Sequence, residues 1–390
     1  MPGIATLYTY PWDLQDEGIE QALDLIQEMG VLDVSVAVSY HVSTYFLPRN
    51  PKRKLYYGED GALYFRPDAS LYADTDLKPR ISEVVTGPDY LSEMVERIRK
   101  RGLTFTAWIV YGYNHDLPTR FPDAAKQNVF GDRTLSQLSP ASPSFRNYAL
   151  ALTRDIVQNY RPDDVHMESI SYLPFTYGFR NPKVLVDIGA FDAYLMGLCF
   201  SRHSMAAAAE RGVPAEDLRR EIADYLIESL ARRPDEASKR EPTAEMVRSA
   251  FGGRLAPYVD ALTETATSLF EDAAGIVREG SARASHNFPR PAHFVGLDTP
   301  RTLNCLGRVS IPSGTDEDPG PRLDGLREQL GAGRKMVVDI QPAQFESGEA
   351  LRNRLGLLSA AGADGYVFYN YGLLRAEQLR WVEAARDVWS

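Results

Sequence analysis

Two cysteines, Cys199 and Cys305, are all that 390 residues carry. That excludes the disulfide framework that staples small secreted folds, and leaves room for one bridge at most. Basic charge is also short: 43 Lys and Arg stand against 53 Asp and Glu, a net charge of −10. A surface of that sign repels a phosphate backbone, so no nucleic-acid partner is expected. No apolar run approaches the ~20 residues that span a bilayer, so no membrane association is expected. The opening Met1–Tyr10 has neither the basic nor the apolar stretch of a secretory signal. Repeats and low-complexity tracts are missing as well. These gaps lead us to expect a reduced, cytoplasmic protein. What is present is ordinary globular material, 44% hydrophobic and 25% charged, with enough chain to bury a large core. Tyrosine is abundant, at 21 residues. Its ring stacks on sugars as readily as on bases, and the acidity of the chain turns the expectation toward a neutral carbohydrate.

Strand-like and helix-like periods alternate along the chain. Strands are predicted at Ile4–Tyr10, Val31–Tyr40, Leu103–Tyr111 and the short β-prone segment that reaches Glu168. Helical spacing fills Gly18–Met29, Asp89–Arg101 and Pro143–Tyr160. Gly30 and Gly102 act as stops, and Ser142–Pro143 as a start. Residues 180–282 break the rhythm and read as almost wholly helical (Asp187–Arg211, Ala215–Arg232, Leu255–Glu279), which predicts a helical insertion after the fourth strand. The alternation then resumes. A fifth strand falls in Ala282–Phe288 or His293–Leu297, a sixth in Thr302–Ile311, a seventh in Lys335–Ile340 and an eighth in Gly365–Tyr369. Helices are predicted at Arg322–Leu330, Gly348–Ala361 and Arg375–Trp389. Eight strands, each followed by a helix, predict an α/β fold, a (β/α)8 barrel. It is one domain: 1–179 supply strands one to four, 180–282 the insertion or subdomain, and 283–390 strands five to eight. No Gly-x-Gly-x-x-Gly follows the first strand, which disfavours a dinucleotide fold. No Gly-x-Ser-x-Gly elbow offers a serine nucleophile.

Barrel enzymes gather their chemistry at the C-terminal ends of the strands, and several predicted strands here end in reactive residues. Glu168 ends the fourth and Asp339 the seventh. Two carboxyls across a barrel mouth suit glycoside cleavage, in which one protonates the leaving oxygen and the other attacks or activates water. His166 lies two residues before Glu168 and so on the same face. His41 ends the second strand. The run from Trp108 through Tyr111 to Asn114 and His115 leaves the third strand with groups that grip hydroxyls. Trp12, Tyr111, Tyr172 and Tyr369 are candidate stacking platforms. Asn370 and Gln341 complete the candidate binding rim. Each has a plainer reading: a salt-bridged acid, a core histidine, an Asx turn or an aromatic lid. Glu168, Asp339 and the histidines are also metal-ligand types, but no ligand-spaced motif exists, and neither metal nor cofactor is expected. Cys199 and His203 stand one helical turn apart, a spacing that commonly carries no meaning.

Several stretches resemble the uncharacterised bacterial glycosyl-hydrolase-like (β/α)8 proteins, loosely similar to clan-A glycosidases. They are Ala107–Val110 running to Asn114–His115, Phe121–Asp123, Asn128–Asp132, Leu138–Pro143 leading into Asn147–Tyr148, His166–Ser169 and Tyr366–Gly372. The resemblance covers most of the chain outside the central helices. It implies a barrel, a carbohydrate pocket and Glu168 as acid/base. Two positions depart from clan A: Met167 stands where those enzymes place Asn, and Asp339 where they place a Glu nucleophile.

The reading is a glycoside hydrolase with Glu168 as acid/base and Asp339 as nucleophile or base, acting on a small carbohydrate. Two others stay open. One is a metal-dependent sugar isomerase, epimerase or lyase in the same barrel, and the other a non-catalytic carbohydrate-binding barrel. The apolar faces of the central helices suit either packing on the barrel wall or a homo-oligomer interface.

Overall fold

The computed structural model describes residues 3–236, 238–290 and 292–389. Eight parallel strands close into a barrel: β1 Ile4–Thr9, β2 Asp33–Tyr40, β3 Thr104–Val110, β4 Asp164–Glu168, β5 Arg283–Asn287, β6 Arg308–Pro312, β7 Lys335–Ile340 and β8 Gly365–Phe368. Each pairs with its neighbours in chain order, and β1 pairs with both β2 and β8, so the barrel has no open edge. Helices surround it, and the fold is a (β/α)8 barrel.

Strand parity divides the interior from the wall. On β1, Leu7 packs outward with the helices while Tyr8 and Tyr10 join a separate interior cluster. On β3, Phe105, Ala107 and Ile109 face the helices; Trp108 and Val110 face in. The floor of the barrel is polar. The Arg308 guanidinium of β6 reaches Asp33 of β2 at 2.9 Å, Thr6 of β1 at 3.0 Å and Asp164 of β4 at 3.4 Å, and is 3% exposed. A buried charge is tolerable only when paired and hydrogen-bonded. Here one arginine neutralises two acids from different strands.

The helix Pro143–Tyr160 begins as expected. The Ser142 hydroxyl accepts from the Phe145 amide, Pro143 sits in the first turn, and Arg161 ends the helix in a left-handed conformation at φ 48°. Between β4 and β5 lie Ala190–Gly197, Arg202–Ala209, Ala215–Leu230, Ala244–Ser249 and Leu255–Glu279. The last packs along Pro143–Tyr160 and buries Tyr258, Leu262, Leu269 and Phe270.

Two expectations change and one open choice is resolved. The sixth strand is not Thr302–Ile311: Asp298 caps a helix over Thr299–Cys305, accepting from the Arg301 amide at 2.9 Å, and the strand starts only at Arg308. The fifth strand takes the first of its two candidate segments, and a short helix over Ala292–Val295 occupies the other. The helix expected over Asp187–Arg211 is two, because Leu198 turns extended and Ser201 caps a new start by accepting from the Ser204 amide. Among the described residues, no helix is long and apolar enough to cross a membrane.

Candidate active site at the barrel mouth

Parity on β4 turns Asp164, His166 and Glu168 inward, and Glu168 comes last, where the strand meets the mouth. Its register partner on β3 is Val110. The indole N–H of Trp108, one inward position lower on β3, donates to Glu168 Oε2 at 2.6 Å. Burial raises the Glu168 pKa above the ordinary carboxylate value, and the Trp108 bond opposes that rise. Glu168 remains partly exposed.

Asp339 lies near the end of β7, in register with Pro312 of β6 and Val367 of β8. Burial pushes its pKa up to about 7, the Glu168 charge adds to the rise, and the Ser310 hydroxyl and the Arg308 charge oppose it. Its Oδ1 is buried without a hydrogen-bond partner. An orphaned carboxylate oxygen is expensive, and this one belongs to a group whose titration responds to Glu168. The Tyr8 ring of β1 belongs to the same interior cluster as Trp108. Burial drives its hydroxyl pKa up, and the Asp339 and Glu168 charges follow as causes.

An aromatic wall holds these groups in place. Trp108 packs against Tyr8 at 4.5 Å between centroids, Tyr40 at 4.6 Å and Tyr369 at 6.2 Å. Tyr10 links the far side, its hydroxyl 2.9 Å from that of Tyr369 and 3.2 Å from that of Tyr40. The Tyr369–Asn370 peptide is cis. His41 stacks on Tyr40 at 4.2 Å and touches Tyr113 at 4.2 Å. Burial lowers its pKa to about 4, so the ring is neutral near pH 7. His166 is driven below its ordinary value first by burial and then by His286 and Arg308, and its ring meets Tyr8 edge-on at 5.8 Å.

The mouth thus gathers Glu168, Asp339, Trp108, His166, His41 and Tyr369. Other expected residues lie elsewhere. Trp12 is wholly buried, stacked on Tyr10 at 4.5 Å and ringed by Tyr45, Tyr56 and Tyr64, so it presents no face to a ligand. Tyr111 has the wrong parity: it turns toward the helices, where its hydroxyl meets Thr153 at 2.9 Å. Asn114 is 3% exposed and its Oδ1 accepts from the Leu117 amide, a turn-forming role. Asn370 is wholly buried, with Oδ1 accepting from the Gly372 amide. Gln341 is exposed and accepts from Gln344. His115 points away from the carboxylates, to the Gly178 carbonyl at 3.0 Å and to Asp60 at 3.5 Å. Cys199 is buried within reach of the Ser139, Ser201 and Ser204 hydroxyls, while His203 meets Asp123 at 2.9 Å. His286 reaches the Met167 carbonyl. Among the described residues, no group of three or more His, Cys, Asp or Glu is placed to hold a metal ion.

Tyr8, Ser310 and Arg308 were not singled out from the sequence. Parity was the available signal: Tyr8 shares a face with Thr6 and Tyr10, and an arginine two residues before Ser310 inside an apolar strand marks a buried ion pair.

No protein-family model matches the chain, and no curated protein matches it in sequence. Solved structures do match. The catalytic domain of a β-amylase from Paenibacillus polymyxa aligns with a TM-score of 0.57 at 11% identity, over 98% of this chain and 97% of that one. The likeness is one of fold. A β-galactosidase from Bacillus circulans sp. alkalophilus aligns with a TM-score of 0.59 at 12% identity, over 99% of this chain and 55% of its own. An α-L-fucosidase isoenzyme from Paenibacillus thiaminolyticus gives 0.54 at 10%, over 99% and 49%. The chain therefore spans about half the length of the last two. All three are glycoside hydrolases by name, and with them this chain shares the closed eight-stranded barrel.

Proposed function

We propose that the protein hydrolyses a glycoside, with Glu168 and Asp339 as its carboxylate pair. The observation that carries this reading is their placement: two inward carboxyls near the ends of β4 and β7, both raised by burial and neither in an ion pair among the described residues. One ionised and one protonated carboxyl is the state that this chemistry requires. Glu168 gives its proton to the glycosidic oxygen as the bond to the anomeric carbon breaks, and the leaving group departs as an alcohol. Asp339 attacks that carbon to form a glycosyl ester, which water then displaces at the same carbon while giving a proton back to Glu168; or Asp339 instead takes a proton from the water that attacks directly. Water supplies the hydroxyl of the product, and no redox change occurs. Trp108 holds Glu168 by one oxygen and leaves the other for the substrate. Tyr369 and the exposed parts of Tyr113 and His41 offer ring surface to a sugar. The fold neighbours support the substrate class, since each bears a glycosidase name.

The test is a panel of aryl glycosides and oligosaccharides on wild type, Glu168→Gln and Asp339→Asn, with and without chelator. Loss of ~10²–10⁴-fold in both variants, indifferent to chelator, is expected. Activity abolished by chelator and restored by a divalent ion would overturn the reading in favour of a metal-dependent isomerase or lyase.

A further inference from the structure

A second concave surface lies beside the mouth. It has a cavity volume of about 530 Å³, between the hairpin Ala125–Gln127/Arg133–Leu138 and the loop that follows β4. That volume suits a small-molecule ligand. Arg133, Arg180 and Lys183 line it against a single acid, Asp132. Asp132 is already engaged by the Asn128 amide at 3.1 Å, and Arg180 by Asp60 at 2.6 Å. Arg133 and Lys183 make no side-chain hydrogen bond or ion pair among the described residues. Two unpaired cations in one cavity are conspicuous in a chain of net charge −10.

The rest of the lining suits a sugar. Phe175 and Phe179 meet edge-on at 5.3 Å, and Phe179 and Leu135 are 38% and 50% exposed. His115 also lines it, with Nε2 on the Gly178 carbonyl and Nδ1 3.5 Å from Asp60. The cavity is tied to the carboxylates through Tyr177. The Ser136 hydroxyl and the Gln137 amide donate to the Tyr177 carbonyl at 3.2 and 3.0 Å. The Tyr177 ring meets Tyr113 at 5.0 Å, and burial followed by the Glu168 charge raises its hydroxyl pKa.

We propose that this cavity binds an anionic sugar, one bearing a carboxylate or a sulfate, as a neighbouring residue of the substrate cleaved at Glu168. Guanidinium and ammonium groups supply the charge-assisted bonds, and the phenylalanines supply the ring contact. The role within a substrate rests on the glycosidase reading, but binding itself does not.

Titration calorimetry separates the two. The probes are methyl β-glucuronide, glucose 6-sulfate and the neutral methyl β-glucoside, against wild type, Arg133→Ala/Lys183→Ala and Glu168→Gln. Both substituted cations are exposed, so the fold is expected to survive, and circular dichroism checks it. The charged probes are expected to bind wild type and Glu168→Gln alike, more tightly than the glucoside. The double variant is expected to weaken them by ~10-fold or more, and added salt to weaken them further. A preference for glucuronide or for sulfate identifies the anion. Equal affinity for charged and neutral probes, or a double variant that binds as wild type does, overturns the proposal. Charged-probe binding without turnover of any glycoside keeps the site and removes the glycosidase reading.

Discussion

Replacing Asp339 by Asn is expected to abolish activity and at the same time stabilise the protein above neutral pH. The Asp339 pKa stands at about 7 against an ordinary 3.8. Below the ordinary value the folded and unfolded chains both hold the proton, and the carboxyl costs nothing extra. Between the two values the folded chain keeps a proton that the unfolded chain loses, so wild-type stability falls as pH rises. Above about 7 the deficit is complete. Roughly three units at ~1.4 kcal/mol each give ~4 kcal/mol as an upper bound. The side chain is partly exposed and its titration is coupled to Glu168, which brings the expectation to ~2 kcal/mol. Asparagine is neutral throughout and nearly isosteric. Urea denaturation should therefore find Asp339→Asn more stable by ~2 kcal/mol near pH 8, with the advantage vanishing near pH 4. A variant no more stable than wild type near pH 8 would refute the claim that Asp339 is held ionised against its environment. A gain of the same size at both pH values would show that packing, not charge, is responsible.

Trp108→Phe keeps a ring among Tyr8, Tyr40 and Tyr369 but removes the N–H at 2.6 Å from Glu168. Losing a bond to a charged group, worth ~1.5–3 kcal/mol, should raise the Glu168 pKa by ~1–2 units. The alkaline limb of kcat/KM then moves up by that much, and an unmoved limb in a folded variant counts against Trp108 as the residue that positions the acid. Arg308→Met strands Asp33 and Asp164 in the barrel floor, with an expected loss of ~3–5 kcal/mol in denaturant titration; a loss near zero would mean that the floor relaxes to admit water. A Cβ on Gly372 would stand 2.1 Å from Asp13 Oδ1, which is buried, so Gly372→Ala should cost ~1–3 kcal/mol. Gly356→Ala is the control: it lies inside a helix with nothing within 4 Å of the added carbon, and should gain ~0.5–1 kcal/mol.

The barrel was legible because its signal is periodic and repeated. Alternation in Ile4–Thr9 and the uninterrupted run Asp33–Tyr40 survive any local error of boundary. The sixth strand was misplaced because Thr302, Leu303 and Leu306 supply apolar spacing that fits strand or helix alike, while Asp298-Thr299-Pro300 is a helix start that outranks it. Among the candidate site residues, parity separates those that face the barrel interior from those that do not. Glu168 shares a face with Asp164 and His166, and it does reach the mouth. Tyr111 follows inward-facing Val110 and cannot face inward as well. Trp12 was mistaken for a rim residue because it closely follows a strand end, yet Pro11 starts a helix there and turns the indole into the aromatic core. The Trp108–Glu168 bond joins residues 60 apart. Nothing in either segment alone announces it.

The barrel interior contains four inward carboxylates that can be compared directly: Asp33, Asp164, Glu168 and Asp339. The first two lie on the floor and are matched by cations, Arg308 reaching both and Arg283 joining Asp164 at 2.5 Å. The other two lie one or two inward positions higher and have no ion pair among the described residues. Glu168 has one neutral donor, and one oxygen of Asp339 has no partner at all. The lower pair is buried and the upper pair partly exposed, yet burial still raises both upper pKa values. A fold that needed only stability would match the upper pair as it matches the lower, because an unpaired buried carboxylate costs several kcal/mol. The matched floor fixes the strands to one another, and that rigidity keeps the unmatched pair from relaxing toward solvent. The contrast between the two levels, more than the presence of acids in a barrel, is the ground on which we propose Glu168 and Asp339 as the groups retained for chemistry.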